Sequence, residues 1–289
     1  MTIYGTTKLL GIIGDPVIYS RSPLMHNFAL QKLQLDYIYG AFPIAQQNLG
    51  KAIEGMWYIN SIHGFNVTIP HKEAILPHLS EVTDLAMQVG AVNTVKRGAV
   101  GWWGTNTDVY GFTVPLQRLS RSWSDCQVII LGNGGAARAV VVGMYQLDCK
   151  HIRAIGRSMD KMQVFQQQMT RNLPDLQLEI YEWGNLQELL PTGELVINTT
   201  PIGMPENPKA SPLTPEQLQL LPHGSIVYDL IYTPRPTQLL KLAHSAGHTT
   251  IDGIEMLLYQ GVQALEFWLG VDIQPVIEGM RQILLTKSV

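Results

Sequence analysis

Apolar positions along the chain alternate between short β-like runs and longer stretches with helical spacing, and the alternation occurs twice. Residues 9–13 form an apolar run broken only by Gly11, residues 37–43 alternate, and residues 63–69 form a third run that stops at Pro70. Between them, residues 24–33 and 49–60 carry apolar side chains at helical spacing, with Pro23 suited to a first helical turn. Strand–helix–strand–helix–strand is the pattern of a parallel sheet covered by helices. Residues 82–90 then read as a helix. Residues 91–96 and 99–102 read as a hairpin turning at Arg97-Gly98. A helix over 109–119 follows, which Pro115 threatens to kink.

After the polar stretch 120–125 the alternation starts again. Strands are expected at 127–131, 151–155, 176–181, 195–198, 225–229 and 249–251, with helices at 136–146, 161–171 and 236–245. Gly253 marks the join to a long helix over 254–269, and residues 275–286 form another. The expected fold class is α/β, with two α/β domains: a first unit built on a mainly parallel sheet and a second of Rossmann type. The last helices are placed to return onto the first unit.

The second unit opens with Gln127-Val128-Ile129-Ile130-Leu131-Gly132-Asn133-Gly134-Gly135-Ala136-Ala137. Gly132, Gly134 and Ala137 match G-x-G-x-x-G/A, with a strand before and a helix after. Gly132 permits the tight turn, Gly134 lets backbone N–H groups approach a pyrophosphate, and Ala137 keeps the helix close to the sheet. The helix N-terminus offers unpaired donors and a partial positive charge to phosphates. At the end of the next strand stand Arg157 and Ser158, with Lys161 beyond and Asp160 one turn into the helix. An acidic residue at that strand end would favour NAD; a guanidinium fork suits the 2′-phosphate of NADP. A solvated loop arginine is the bland alternative, and the position favours NADP.

Composition narrows the classes further. The 289 residues are enough for two domains. A net charge of −3 gives no reason to expect nucleic acid or an anionic membrane as partner. Only Cys126 and Cys149 are present, which argues against a disulfide framework and for a reducing cytoplasm. The 9–13 run lacks the basic flank and cleavage site of a signal peptide, and no segment approaches the roughly 18 apolar residues of a membrane span. No metal site is expected.

The first unit carries three polar constellations. Ser20 and Ser22 straddle Arg21 after the first strand, where α/β sheets place ligands, although Ser22 also suits an N-cap ahead of Pro23. Asn66 and Thr68 share one face of the third strand's end, with Lys72 just beyond. Asn93 and Asp108 add an amide and a carboxylate, although Asp108 could merely cap the helix that follows.

Ser20-Arg21-Ser22-Pro23 with His26-Asn27, the Asn66–Lys72 run, Gly90-Ala91-Val92-Asn93-Thr94 and Asn106-Thr107-Asp108 together resemble the shikimate dehydrogenase family. Asn198-Thr199-Thr200-Pro201-Ile202-Gly203-Met204, Asp229-Leu230-Ile231-Tyr232 and Met256-Leu257-Leu258-Tyr259-Gln260 continue the likeness along nearly the whole chain. The resemblance implies NADPH-dependent reduction of 3-dehydroshikimate to shikimate, on the route to aromatic amino acids. It implies a substrate domain of residues 1–108 plus 255–289, facing an NADP domain of residues 109–254, and a homodimer. It places Lys72 and Asp108 at the catalytic centre, and Ser20, Ser22, Asn66, Thr68, Asn93, Tyr232 and Gln260 with them on the substrate. It assigns Gly132, Asn133, Gly134, Gly135, Ala136, Ala137, Arg157, Ser158, Lys161, Thr199, Thr200, Met204, Leu230 and Gly253 to NADP(H). The chain departs from the family pattern at Tyr19, Asn133, His71, Gly156 and Pro201, none of which removes a catalytic group. Use of quinate as well, or a non-catalytic NADP-sensing role, are the competing readings; intact Lys72 and Asp108 argue against the second.

Overall fold

A computed structural model describes residues 2–286. The chain divides into two compact units: the segment through Gly111 together with the segment from Leu257 onward, and Phe112–Met256. Both boundaries fall inside continuous helices, Asp108–Gln117 and Ile254–Leu269.

The first unit is built on six strands: β1 (Lys8–Gly14), β2 (Tyr37–Pro43), β3 (Ile62–Val67), β4 (Glu81–Val82), β5 (Thr94–Arg97) and β6 (Trp102–Thr105), in the order β2-β1-β3-β5-β6-β4. The pairs β1–β2, β1–β3 and β4–β6 are parallel, whereas β3–β5 and β5–β6 are antiparallel. β1 lies inside the sheet and its last five residues are buried, as expected for a strand covered on both faces. Ile13, Phe65, Val67, Ile75, Val92, Val95 and Trp102 form the core on one side. The helix Gln274–Thr286 returns to pack on the helix Ser22–Lys32.

Three local expectations are revised. Residues 82–90 are not one helix: Glu81–Val82 pair with Trp103 and Gly104, and the helix runs only over Asp84–Val89. Thr83 is the reason, since its hydroxyl accepts from the Ala86 N–H and starts the helix there. The expected 49–60 helix stops at Trp57, because Arg97 takes the carbonyls of Met56, Trp57 and Ile59. Ser22 is not an N-cap either; it is the first helical residue, after Arg21.

The second unit contains β7 (Val128–Leu131), β8 (His151–Gly156), β9 (Gln177–Glu182), β10 (Leu195–Asn198), β11 (Ile226–Asp229) and β12 (Thr249–Ile251). All pairs are parallel, in the order β12-β11-β10-β7-β8-β9. Strand succession reverses between β7 and β10, which places a crevice beyond their carboxyl ends. Cys126 and Cys149 are both buried and free. Burial pushes their thiols up, to about 12 and about 11, so neither is a reactive thiolate. No helix among the described residues is long and apolar enough to cross a membrane.

Candidate active site

Lys72 lies just past β3 and Asp108 opens the helix after β6, 36 residues away. The fold joins them: the Lys72 ammonium donates to Asp108 Oδ2 at 2.6 Å. Their side chains are 17% and 7% exposed, so the pair is partly desolvated while the ammonium stays within reach of a ligand. Asn93, in the turn leading to β5, donates from Nδ2 to the other carboxylate oxygen at 2.8 Å. Asp108 is thus held from two sides, and among the described residues no second protein acceptor takes the remaining donors of Lys72. A cation held this way can stabilise negative charge developing on a nearby oxygen and deliver a proton to it.

Asn66 and Asn93 are each woven into the unit. Asn66 accepts from the Tyr39 hydroxyl at 2.7 Å and donates to the Asn93 carbonyl and Thr94 Oγ1. Asn93 Oδ1 accepts from the Thr107 N–H at 2.7 Å. Thr68 is half-buried at the end of β3, where its N–H donates to Ile13. Ser20 is half-buried and its hydroxyl accepts from the Ser22 N–H, which fixes the loop that carries both serines. Gln260 is buried within the helix Ile254–Leu269, its amide donating to the Leu257 carbonyl. Tyr232 follows β11 in the second unit and is half-buried. His71, one of the departures from the family pattern, is fully buried and bridges to the Ile44 carbonyl, which requires the proton on Nε2. Its imidazole braces the loop that carries Lys72.

The glycine loop behaves differently at its two critical positions. Gly132 has φ +114, and a Cβ there would sit 2.5 Å from Thr199 Oγ1. Thr199 in turn donates from its hydroxyl to the Leu131 carbonyl, tying β10's end to β7's. A Cβ on Gly134 would meet nothing within 4 Å. No packing among the described residues demands glycine at Gly134, and the fingerprint assigns that position to close approach of a pyrophosphate. Gly134 caps the helix Gly135–Gln146 without a side-chain bond, leaving the first-turn N–H groups of Gly135, Ala136 and Ala137 without a side-chain cap. Asn133, Gly135 and Ala136 are half-buried beside it, and Ala137 is fully buried against the sheet.

Arg157 and Lys161 are exposed beyond β8, and Ser158 is the N-cap residue of Met159–Asn172 with its hydroxyl making no cap bond. With no carboxylate at that strand end, this set suits a phosphate monoester better than a free ribose hydroxyl. Donors for a pyrophosphate and cations for a 2′-phosphate are therefore both present, and the residues fit NADP.

Thr200, Met204 and Leu230 are half-buried in the loops after β10 and β11. A buried network that the sequence left without a role holds those loops. Asp229 accepts from Asn198 Nδ2 at 2.9 Å, Thr237 Oγ1 at 2.7 Å and the Ile231 N–H. Asn198 Oδ1 accepts from the N–H and hydroxyl of Thr200. Burial raises the Asp229 carboxyl to about 6, against which these three donors work. Gly253 packs on the same loop so closely that a Cβ would fall 2.2 Å from the Leu230 carbonyl oxygen. We expect Gly132→Ala to destabilise the protein, whereas Gly134→Ala folds with a near-native melting temperature and binds NADP at least tenfold more weakly; titration calorimetry and thermal melts check both arms.

A family model for the shikimate dehydrogenase substrate binding domain matches residues 12–95. A relative from Microcystis aeruginosa named shikimate dehydrogenase (NADP(+)) is 52% identical over 287 residues, covering 99% of each chain. The chain belongs to the shikimate dehydrogenase family. Solved structures agree with that membership. A shikimate dehydrogenase in complex with NADP+ is 36% identical, with a TM-score of 0.87 and coverage of 98% of this chain and 96% of that one. The Thermus thermophilus shikimate 5-dehydrogenase, solved with NADP(H) and shikimate, is 30% identical with a TM-score of 0.80, covering 96% and 100%. Shikimate dehydrogenases thus match this chain over both its units.

Proposed function

We propose that the chain catalyses the reversible NADPH-dependent reduction of 3-dehydroshikimate to shikimate, a step toward chorismate and the aromatic amino acids. The observation that carries the reading is the Lys72–Asp108 pair, 2.6 Å apart and steadied by Asn93, in a chain half identical to NADP-dependent shikimate dehydrogenases. When bound, NADPH supplies the hydride. Lys72 stabilises the oxygen that becomes a hydroxyl and gives it a proton; in the reverse direction the same amine takes that proton back. Asp108 orients the ammonium and accepts from a ring hydroxyl. Ser20, Ser22 and Thr68 supply hydroxyls for the carboxylate and ring, Asn66, Asn93 and Gln260 add amides from the same unit, and the family resemblance assigns Tyr232 to the substrate as well. The glycine loop binds the pyrophosphate, and Arg157, Ser158 and Lys161 take the 2′-phosphate.

The reading includes a cytoplasmic location, supported by two free buried cysteines, and a homodimer, supported by the family resemblance. Assaying purified protein on shikimate and quinate, each with NADP and NAD, tests the activity. Shikimate with NADP should be turned over far better than any other pairing. Absence of turnover with either cofactor, despite shikimate binding, would leave a sensor as the better reading.

A further inference from the structure

The Lys72–Asp108 pair is the end of a longer buried line that begins on the opposite side of the sheet's centre, in β2. Tyr39 there is 2% exposed, and its hydroxyl donates to Asn66 Oδ1 at 2.7 Å. Asn66 Nδ2 passes the line to the Asn93 carbonyl at 3.1 Å and to Thr94 Oγ1 at 3.0 Å. Thr94 Oγ1 donates to Asn93 Oδ1 at 3.1 Å, and Asn93 Nδ2 donates to Asp108 Oδ1 at 2.8 Å. The intermediate residues Asn66, Asn93 and Thr94 are all buried. A buried amide whose carbonyl loses its donor pays a full desolvation cost, and it regains satisfaction only by rotating or shifting. Moving Asn66 disturbs the two groups it donates to, both of which set where Asn93 presents its amide to Asp108.

Tyr39 is itself fixed along both its backbone and its ring. The Asn27 side chain, from the helix that begins at Ser22, accepts from the Tyr39 N–H at 2.9 Å and donates to its carbonyl at 2.8 Å. β2 is the outer strand of its sheet, so this amide takes the place of a neighbouring strand at that residue. The Tyr39 ring stacks on His26 with centroids 4.4 Å apart and planes 22° apart, and leans on Trp268 at 6.1 Å. Full burial lowers His26 to about 3, so the imidazole is neutral at physiological pH and places no charge beside the phenol. A phenylalanine would fill the same ring site. The hydroxyl is what phenylalanine would lack, and it donates to Asn66.

We propose that Tyr39 is a positioning residue for the Lys72–Asp108 pair, holding Asp108 in register through Asn66, Thr94 and Asn93. The inference rests on the catalytic reading of that pair. Tyr39→Phe keeps the ring and removes the hydrogen bond. It should lower kcat for shikimate oxidation roughly 5- to 30-fold. NADP affinity should stay within twofold, and the limb of the kcat pH profile reporting the proton-transferring group should move. Thr94→Val is similar in shape and removes the hydroxyl branch between Asn66 and Asn93, while the Asn66 bond to the Asn93 carbonyl remains. It should lower kcat in the same direction and carries the test alone if Tyr39→Phe does not fold. A variant that folds with wild-type kcat and an unshifted pH profile, whatever its melting temperature, overturns the proposal. Lys72→Ala, run beside them, separates the two readings. If it is inactive while Tyr39→Phe is normal, only the positioning role fails; if it is fully active, the reading of the pair itself fails.

Discussion

Lys72→Ala is expected to lower kcat by about two to four orders of magnitude while leaving the KM for shikimate within a few-fold, the loss typical of removing a positioned general acid–base group. The ammonium is the cation bound to Asp108 and the group placed to meet charge on the reacting oxygen. Alanine removes both the proton carrier and that electrostatic stabilisation. The binding contacts proposed for Ser20, Ser22, Thr68 and Asn93 come from other side chains and persist, so the split falls on kcat. The substitution also leaves the Asp108 carboxylate buried with Asn93 as its remaining side-chain partner, and a modest loss of thermal stability should accompany the kinetic one. Steady-state kinetics in the direction of shikimate oxidation decide the matter. An unchanged kcat would take Lys72 out of the mechanism.

The largest stability effect is expected at Arg97, far from any proposed chemistry. Its guanidinium donates to four main-chain carbonyls: Ile62 at 2.8 Å, Trp57 at 2.9 Å, Ile59 at 2.9 Å and Met56 at 3.2 Å. Three of these lie at or just past the C-terminal end of the helix Leu49–Trp57, where a cation also opposes the helix dipole. The group lies over the faces of Trp57 and Trp102 at 4.5 and 4.9 Å. Burial lowers the Arg97 pKa, yet a guanidinium remains protonated, so the charge is present to strengthen every one of these bonds. Charge-assisted bonds and cation–π contacts of this kind, counted together and not additively, make a loss of about 2–4 kcal/mol reasonable for Arg97→Ala. That corresponds to a melting temperature lower by roughly 5–15 °C. Arg97→Lys should recover less than half, because a single ammonium cannot reach four carbonyls in a fixed fork. A melting temperature for Arg97→Ala within about 2 °C of the parent would refute this account.

Arg97 also marks a limit of what was legible along the chain. The hairpin is present but shifted along the chain: Arg97 ends β5, paired with Trp102, and the turn runs over residues 98–101. An arginine beside a glycine reads locally as a solvated turn charge. Nothing local reports that a helix terminus some 40 residues earlier offers its carbonyls. β4 escaped for a different reason: two residues are too few to show a period of two, and the strand exists only because Gly104 and Trp103 present an edge to it. Where periodicity was long, the reading held: residues 37–43 are a strand and residues 254–269 a helix.

The site divides along the same line. Glycines 132 and 134, the Arg157 segment and the polar runs at Ser20–Ser22 and Asn66–Lys72 were visible because each is a local motif whose geometry is set within a few residues of backbone. The backbone bore this out most directly at Gly132, whose positive φ no other residue adopts readily. The pairing of Lys72 with Asp108 was implied by the family resemblance and by no spacing in the chain. It is made by the β3–β5–β6 antiparallel excursion, which folds two points 36 residues apart onto one another. Asp229 entered only as part of a family motif and Tyr39 only as part of an expected strand, and neither had a role, because a buried hydrogen-bond network depends on which strands become neighbours. Local chemistry and the alternation of apolar positions thus specified an α/β chain with a dinucleotide loop and the side chains for a polar substrate. Only the tertiary structure decided which of those side chains meet, because a strand's neighbours in a sheet are chosen by burial and topology, and no short stretch of sequence carries that information.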